Sequence, residues 1–388
     1  MKEWIIIGGG IQGCTLATYL LEHGCTKVED MQIIDPYREP LAQWKTYTKR
    51  IAMSNLRSPA VHHLAPNPYH ITQFAKKNQW NNAFYGYYKK PNLEFFNHHS
   101  EDIIEQLQLH LAWKQGRVED IERHNDQWIV SLESGDKIKA KNVAITAGFT
   151  EQLLVPEWAG ELKQNYPHLV WHIFEKEEWD HAEIGGNVAV IGGGITGAHA
   201  AIKWSNLGKQ VTLLIKNPLK IHEFDSDPGW LGPKNMTKYR KIDDYKQRRT
   251  LIKQARHKGS LPPNIYQKLM KYVQQGKVTI VEDTIQSAII KQQQVQLQSE
   301  SNSFQFNQVI LATGFTSNIQ EINWLQRIIK SEQLTCAHCG FPIVTRDLQW
   351  TKGLYVTGAL AELEIGPTAR NISGARTAAE RIVKSVST

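Results

Sequence analysis

Two short, almost wholly apolar runs organise the chain. Trp4-Ile5-Ile6-Ile7 and Val188-Ala189-Val190-Ile191 each break into three consecutive glycines. Continuous apolar runs bounded by glycine predict strands buried on both faces, as in a parallel sheet. Behind each, the apolar positions change to helical spacing, predicting helices over 14–23 and 198–207. Each unit then returns as a strand, over 31–34 and over 210–215. Two later apolar runs, from Val143 to Gly148 and from Val309 to Gly314, predict strands that end in small-residue turns. A last strand from Gly353 to Gly358 leads to Gly366-Pro367. Proline suits a first helical turn, so a closing helix is expected there, with Ala369, Ile372, Ala375, Ala379 and Ile382 on its apolar face.

The two strand–turn–helix–strand units are copies of one pattern. Gly8-x-Gly10-x-x-Gly13 recurs as Gly192-x-Gly194-x-x-Gly197, 184 residues later. The first glycine of such a turn allows the tight exit from the strand. The second lets backbone approach a pyrophosphate, and the third lets the helix pack close to the strand. The helix start then faces the phosphates with unpaired N–H groups. One copy is a weak signal, but two in the right strand–helix context are a strong one. Gln12 and Thr196 fill equivalent places and join the glycines as candidate cofactor ligands. Asp35 stands 22 residues beyond Gly13, where a carboxylate accepts hydrogen bonds from ribose hydroxyls. No acid stands at the matching place in the second unit, which has Lys216 instead, suited to a 2′-phosphate. The reading is FAD at the first turn and NADPH at the second, with Arg240, Arg248 or Arg249 adding to the phosphate clamp. Gly148 and Gly314 suit a chain crossing beneath a bound dinucleotide, and Gly358 and Gly366 suit the closing segment beside the flavin. The fold class expected is α/β, with two Rossmann-like dinucleotide-binding domains. An FAD-binding domain of 1–175 and 303–388 is interrupted by a NAD(P)H-binding domain of 176–302.

This order of motifs resembles the flavoproteins with two dinucleotide-binding domains. Within them it is most similar to the flavin monooxygenases, including the N-hydroxylating ornithine and lysine enzymes. The resemblance runs through both glycine motifs, Asp35, Ala312-Thr313-Gly314 and the strand from Gly353 to Gly358. It implies an NADPH-dependent FAD oxidoreductase of the monooxygenase type that hydroxylates a small molecule, amines among the candidates. Two departures stand out. His172 matches the histidine of the monooxygenase fingerprint, but His168 stands where a glycine belongs. Ala359 follows Gly358 where many relatives carry an acid, leaving Glu362 or Glu364 as substitutes.

Arg57, His62 and His63 are the catalytic candidates. They lie in a proline-rich loop about 20 residues past Asp35. Arginine offers a rigid fork of donors for a flavin oxygen or a substrate carboxylate, and histidine moves protons near neutral pH. The loop from Phe224 to Pro233, with Trp230, is a candidate cap over the nicotinamide. Cys336-Ala337-His338-Cys339 carries the rival reading, an NADPH-driven disulfide or quinone reductase. It lies 139 residues beyond Gly197, away from the usual places of such a pair.

Composition narrows the field further. The 388 residues are 41% hydrophobic and 21% charged, a globular balance. Net charge is +7, and 234–258 alone carries ten Lys and Arg against Asp243 and Asp244. That stretch allows a third reading, a non-enzymatic FAD-carrying redox sensor that binds an anionic partner. No nucleic-acid motif accompanies it, so no nucleic acid is expected. Four cysteines, no long apolar run and no leader pattern point to a cytoplasmic protein without a membrane span. No metal is expected. The partners foreseen are a small-molecule substrate and, as an open alternative, further copies of the chain.

Overall fold

Trp4-Ile5-Ile6-Ile7 can bury both faces only in the middle of a sheet, and all four residues lie buried there. The computed structural model describes residues 1–175 and 186–387. Its first sheet has eight strands. Lys2–Ile7 lies parallel to Met31–Asp35 on one side and to Lys137–Ile145 on the other. Leu354–Val356 and Trp113–Gln115 extend this parallel core outward. An antiparallel ribbon, Val118–His124 with Gln127–Leu132, continues from Lys137–Ile145.

The second sheet is all parallel. Its five strands run in the order Val278–Glu282, Gln210–Ile215, Asn187–Ile191, Gln308–Leu311, Val170–His172. A three-stranded antiparallel sheet over 287–306 lies beside it. The ladders run across the expected domain bounds. The strand at 170–172 and everything from 303 to 311 pair within the second unit. A fully apolar run such as Val309-Ile310-Leu311 carries no alternation, so its sequence does not say which sheet it enters. The join expected at 176 and the last residue, Thr388, lie outside the described residues.

Both predicted helices begin three residues earlier than their apolar spacing suggests. Ile11–Glu22 starts directly from Gly10 and Ile195–Asn206 directly from Gly194. The closing helix starts later than Pro367. Gly366, at φ +91°, ends a short turn, Glu362–Ile365, and the long helix runs over Ile372–Val386.

The segment after Gln210–Ile215 leaves its own sheet. It forms two helices, Pro233–Tyr239 and Tyr245–Ala255. Their apolar residues Met236, Tyr239 and Ile252 bury in the core of the first unit, with Leu360 and Leu363. The two units are thus bolted together by a piece of the second.

Candidate functional site

The first glycine turn is built for a close approach. A Cβ on Gly13 would collide with the Gly8 carbonyl, so the helix can sit this close only with glycine there. Around Gly10 the outer side is open, with no atom within 4 Å of a Cβ position. Asp35, at the end of its strand, accepts hydrogen bonds from the amides of Gly9 (2.6 Å) and Tyr37 (2.9 Å). Burial pushes its carboxyl above the ordinary range, while those two amides pull the other way. Trp113 lies against Gly9 and donates from its indole nitrogen to the Tyr37 carbonyl at 3.1 Å. Across the turn, Gln12 donates to the Ala369 carbonyl at 3.1 Å, and its side chain lies beside Gly358. Gln12 Oε1 and the Thr357 hydroxyl are buried without a partner. Buried polar atoms without partners are costly, and these two stand beside an open glycine turn. An open turn, a ribose-side acid and orphaned polar atoms are what a dinucleotide such as FAD requires.

The second turn repeats the packing, since a Cβ on Gly197 would collide with the Gly192 carbonyl. It opens on a cavity of about 390 Å³ whose wall includes Gly192 to Gly194, Trp158, Lys216 and Lys258. Lys216 lies where the missing acid would have been. Asp283 closes the same cavity from the neighbouring strand end. Its carboxylate is held below the ordinary range by the Ser299 hydroxyl at 2.7 Å and the Asn302 amide at 2.8 Å. Thr196 stands in the first turn of the helix. Gly148 and Gly314 follow the ends of the two parallel strands, and Gly314 takes φ +84°. Residues just beyond them meet. Tyr47 stacks on Phe174 at 4.6 Å and Phe174 on Phe315 at 5.2 Å, and the Tyr47 hydroxyl donates to the Thr150 carbonyl. This aromatic wall joins the two units.

Two of the three catalytic candidates, Arg57 and His63, are engaged elsewhere. Arg57 donates to the carbonyls of His222 (2.6 Å), Glu223 (3.1 Å) and Phe224 (2.9 Å) and to the Ser260 hydroxyl (2.9 Å). Its fork of donors is spent on the second unit, which corrects its expected role on substrate or flavin. His63 is fully buried, with Nε2 at 3.2 Å from the Pro68 carbonyl and its ring edge-on to His99 at 5.1 Å. His70 Nδ1 lies 2.8 Å from His99 Nε2. Burial and the neighbouring Arg376 push His62 down to about 4 and His63 to about 3. Both imidazoles are therefore neutral at pH 7, and His63 belongs to a packed histidine cluster, not to a proton relay. Arg376 holds this loop by donating to the carbonyls of His63, Ala65 and Pro66.

Part of the basic stretch also finds partners inside the molecule. Arg249 pairs with Glu362, which is 1% exposed, and Arg370 pairs with Glu362 at 2.8 Å. Arg248 and Arg381 both reach Glu364 at 3.2 Å. This removes Arg248 and Arg249 from the phosphate clamp and Glu362 and Glu364 from the flavin contact expected of them. The sequence hint was present in an excess of basic residues in one segment and two acids in another, 113 residues apart between Arg249 and Glu362. Nothing local joined them. Trp230 packs edge-to-face on Tyr239 at 5.8 Å, a structural anchor for the same insert. All four cysteines are unpaired. Burial pushes the Cys336 thiol up, away from the reactive thiolate. Among the described residues no three His, Cys, Asp or Glu gather as a metal site. Among them no helix is long and apolar enough to cross a membrane.

Two parallel α/β units, each with a glycine turn open to a diphosphate, define an oxidoreductase of the two-dinucleotide class. The family model described as pyridine nucleotide-disulphide oxidoreductase matches residues 2–229, and the chain belongs to that family. No curated protein matches the sequence. Solved structures match over the whole length. The ornithine N-hydroxylase of Kutzneria sp. 744 is 15% identical, with TM-score 0.77, covering 100% of this chain and 99% of that one. The ornithine hydroxylase of Pseudomonas aeruginosa is 18% identical, with TM-score 0.74 and coverages of 99% and 98%. The bacillithiol disulfide reductase of Bacillus cereus is 16% identical, with TM-score 0.62 and coverages of 99% and 98%.

Proposed function

We propose that the chain holds FAD at the Gly8–Gly13 turn and NADPH at the Gly192–Gly197 turn, and hydroxylates a small amine. The observation that carries this reading is the pair of glycine turns in one chain, one beside a buried acid and the other opening on lysines. The flavin, when bound, supplies hydride acceptance and oxygen activation. Asp35 would take the ribose hydroxyls, Gln12 and Thr357 the polar groups nearby, and Lys216 the 2′-phosphate. The Tyr47–Phe174–Phe315 wall would keep water from the junction of the two sites. We divide the chain at about 152 and 315, with 152–315 as the NADPH unit, because the sheet ladders change partner there. Four unpaired cysteines support a reducing, cytoplasmic setting.

The hydroxylase half of the proposal draws on the likeness to the amine hydroxylases. It also draws on the unpaired Cys336 and Cys339 and on a second-turn cavity whose lining holds no cysteine. The purified protein should be yellow, NADPH should bleach it without oxygen, and air should restore it. With ornithine, lysine or cadaverine supplied, one of them should yield a hydroxylamine in step with NADPH oxidation. Reduction of a disulfide or quinone with no hydroxylamine from any amine would overturn the proposal.

A further inference from the structure

Three lysines without an ion-pair partner face one cavity, where Asp283 is the one carboxylate in the lining. Lys216 follows the strand Gln210–Ile215. Lys220 opens a two-residue strand, and Lys258 lies two residues before the strand that pairs with it, Lys220 opposite Ser260 and Ile221 opposite Leu261. All three line the cavity of about 390 Å³ beside the second glycine turn. Among the described residues none of the three ammonium groups has an ion-pair or hydrogen-bond partner. Like charges gathered round one space repel unless an anion enters it.

The segment that carries Lys258 crosses the glycine turn, for the Gly259 Cα stands 3.4 Å from a Cβ position on Gly194. It is pinned on its far side. Arg256 pairs with Asp225 at 3.0 Å, the His257 amide donates to the Asp225 carbonyl at 2.8 Å, and His257 stacks on His222 at 3.7 Å. Arg57, from the first unit, ties the two loops together through the carbonyls at 222–224 and the Ser260 hydroxyl.

We propose that Lys220 and Lys258 complete, with Lys216, a site for the 2′-phosphate of an adenosine nucleotide, and that Arg57 is the positioning residue that holds Lys258 over it. The proposal rests on the reading that the second turn binds a dinucleotide. The diphosphate is met by the glycine turn and helix start, so the lysines decide only whether the extra phosphate is favoured. Nucleotide choice is then set partly from the first unit.

The test is calorimetric titration of the full chain with two probes, adenosine 2′,5′-bisphosphate and adenosine 5′-diphosphate. One charge-assisted contact to phosphate is worth about tenfold or more in affinity. Lys258→Ala should weaken the bisphosphate about tenfold and leave the diphosphate within about twofold. Arg57→Ala should do the same, and the double variant should lose little more, because one residue acts through the other. Equal weakening of both probes in Lys258→Ala, or no weakening of either, overturns the lysine assignment. Weakening of both probes in Arg57→Ala marks a merely structural role and overturns the positioning claim. Should Arg57→Ala fail to fold, Arg57→Lys, which keeps the charge but loses the fork, takes its place. Should the unaltered chain bind neither probe, the nucleotide reading itself falls and this inference with it.

Discussion

Replacing Glu362 by glutamine keeps its size and removes the charge that two guanidinium groups share. Glu362 has 2% of its side chain exposed, Arg370 25% and Arg249 17%. Breaking a fully buried pair by neutralising one partner costs about 3–5 kcal/mol. Here both arginines keep some access to water. Arg370 also keeps the Ser317 hydroxyl at 2.6 Å, and Arg249 lies 4.0 Å over the Phe341 ring. These leave a cost of about 2–3 kcal/mol. Unfolding entropy for a chain of 388 residues is about 0.8 kcal/mol per degree near 60 °C. The expected drop in Tm is therefore about 3–4 °C. Burial already brings Arg370 down to about 10, so the loss of its carboxylate adds to an existing strain on its charge. Scanning calorimetry at pH 7 in low and high salt measures the drop, which should differ little between the two because a buried pair is poorly screened. Limited proteolysis within 228–256 should quicken, since Arg249 is one of the bolts of that insert. Glu362→Leu combined with Arg249→Met and Arg370→Met should recover most of the loss. A Tm within about 1 °C of the parent, with unchanged proteolysis, would show that the pair contributes nothing and refute the reasoning.

Three further outcomes follow from the structure. Lys216→Glu should raise KM for NADPH far more than for NADH in steady-state assays, and an equal rise for both would remove the lysine from phosphate recognition. His63 and His99 sit near 3 and 2 in the folded chain against 6.5 when free. The unfolded state therefore binds more protons below pH 6.5, and stability present above that pH is lost as pH falls toward those values. Each histidine should cost about 2 kcal/mol by pH 5, seen as a lower urea midpoint; His99→Phe should flatten that decline, and an unchanged slope would contradict it. The double variant Cys336→Ser, Cys339→Ser should oxidise NADPH at the parent rate, and loss of turnover with flavin reduction intact would favour the reductase reading instead.

What the sequence disclosed and what it hid differ in range. Both glycine turns, their helices and Asp35 were legible because each is a local pattern whose residues meet their partners within one strand–helix unit. The acid even proved to buttress its own turn through the Gly9 amide. Arg57 was misread because its partners are backbone carbonyls at 222–224, and a carbonyl leaves no mark on residue type. His63 was misread because its cluster is completed by His70 and His99, each on a separate helix. The sheet that the strand Gln308–Leu311 enters was not legible because a run buried on both faces fits the centre of either sheet. Lys220 and Lys258 were passed over because only a ladder of two residues brings them together.

The insert over 228–256 sets a limit on how this molecule can be taken apart. Its residues Met236, Tyr239 and Ile252 are genetically downstream of the second nucleotide turn but physically part of the first core. A gene fragment spanning 152–315, expressed alone to obtain the reductant-binding half, would carry a bare greasy face and precipitate. The same fragment trimmed of its two helices would leave the flavin half with an open wound where they had sat. Anyone wishing to graft a new nucleotide preference onto this scaffold will do better by replacing single side chains than by exchanging modules.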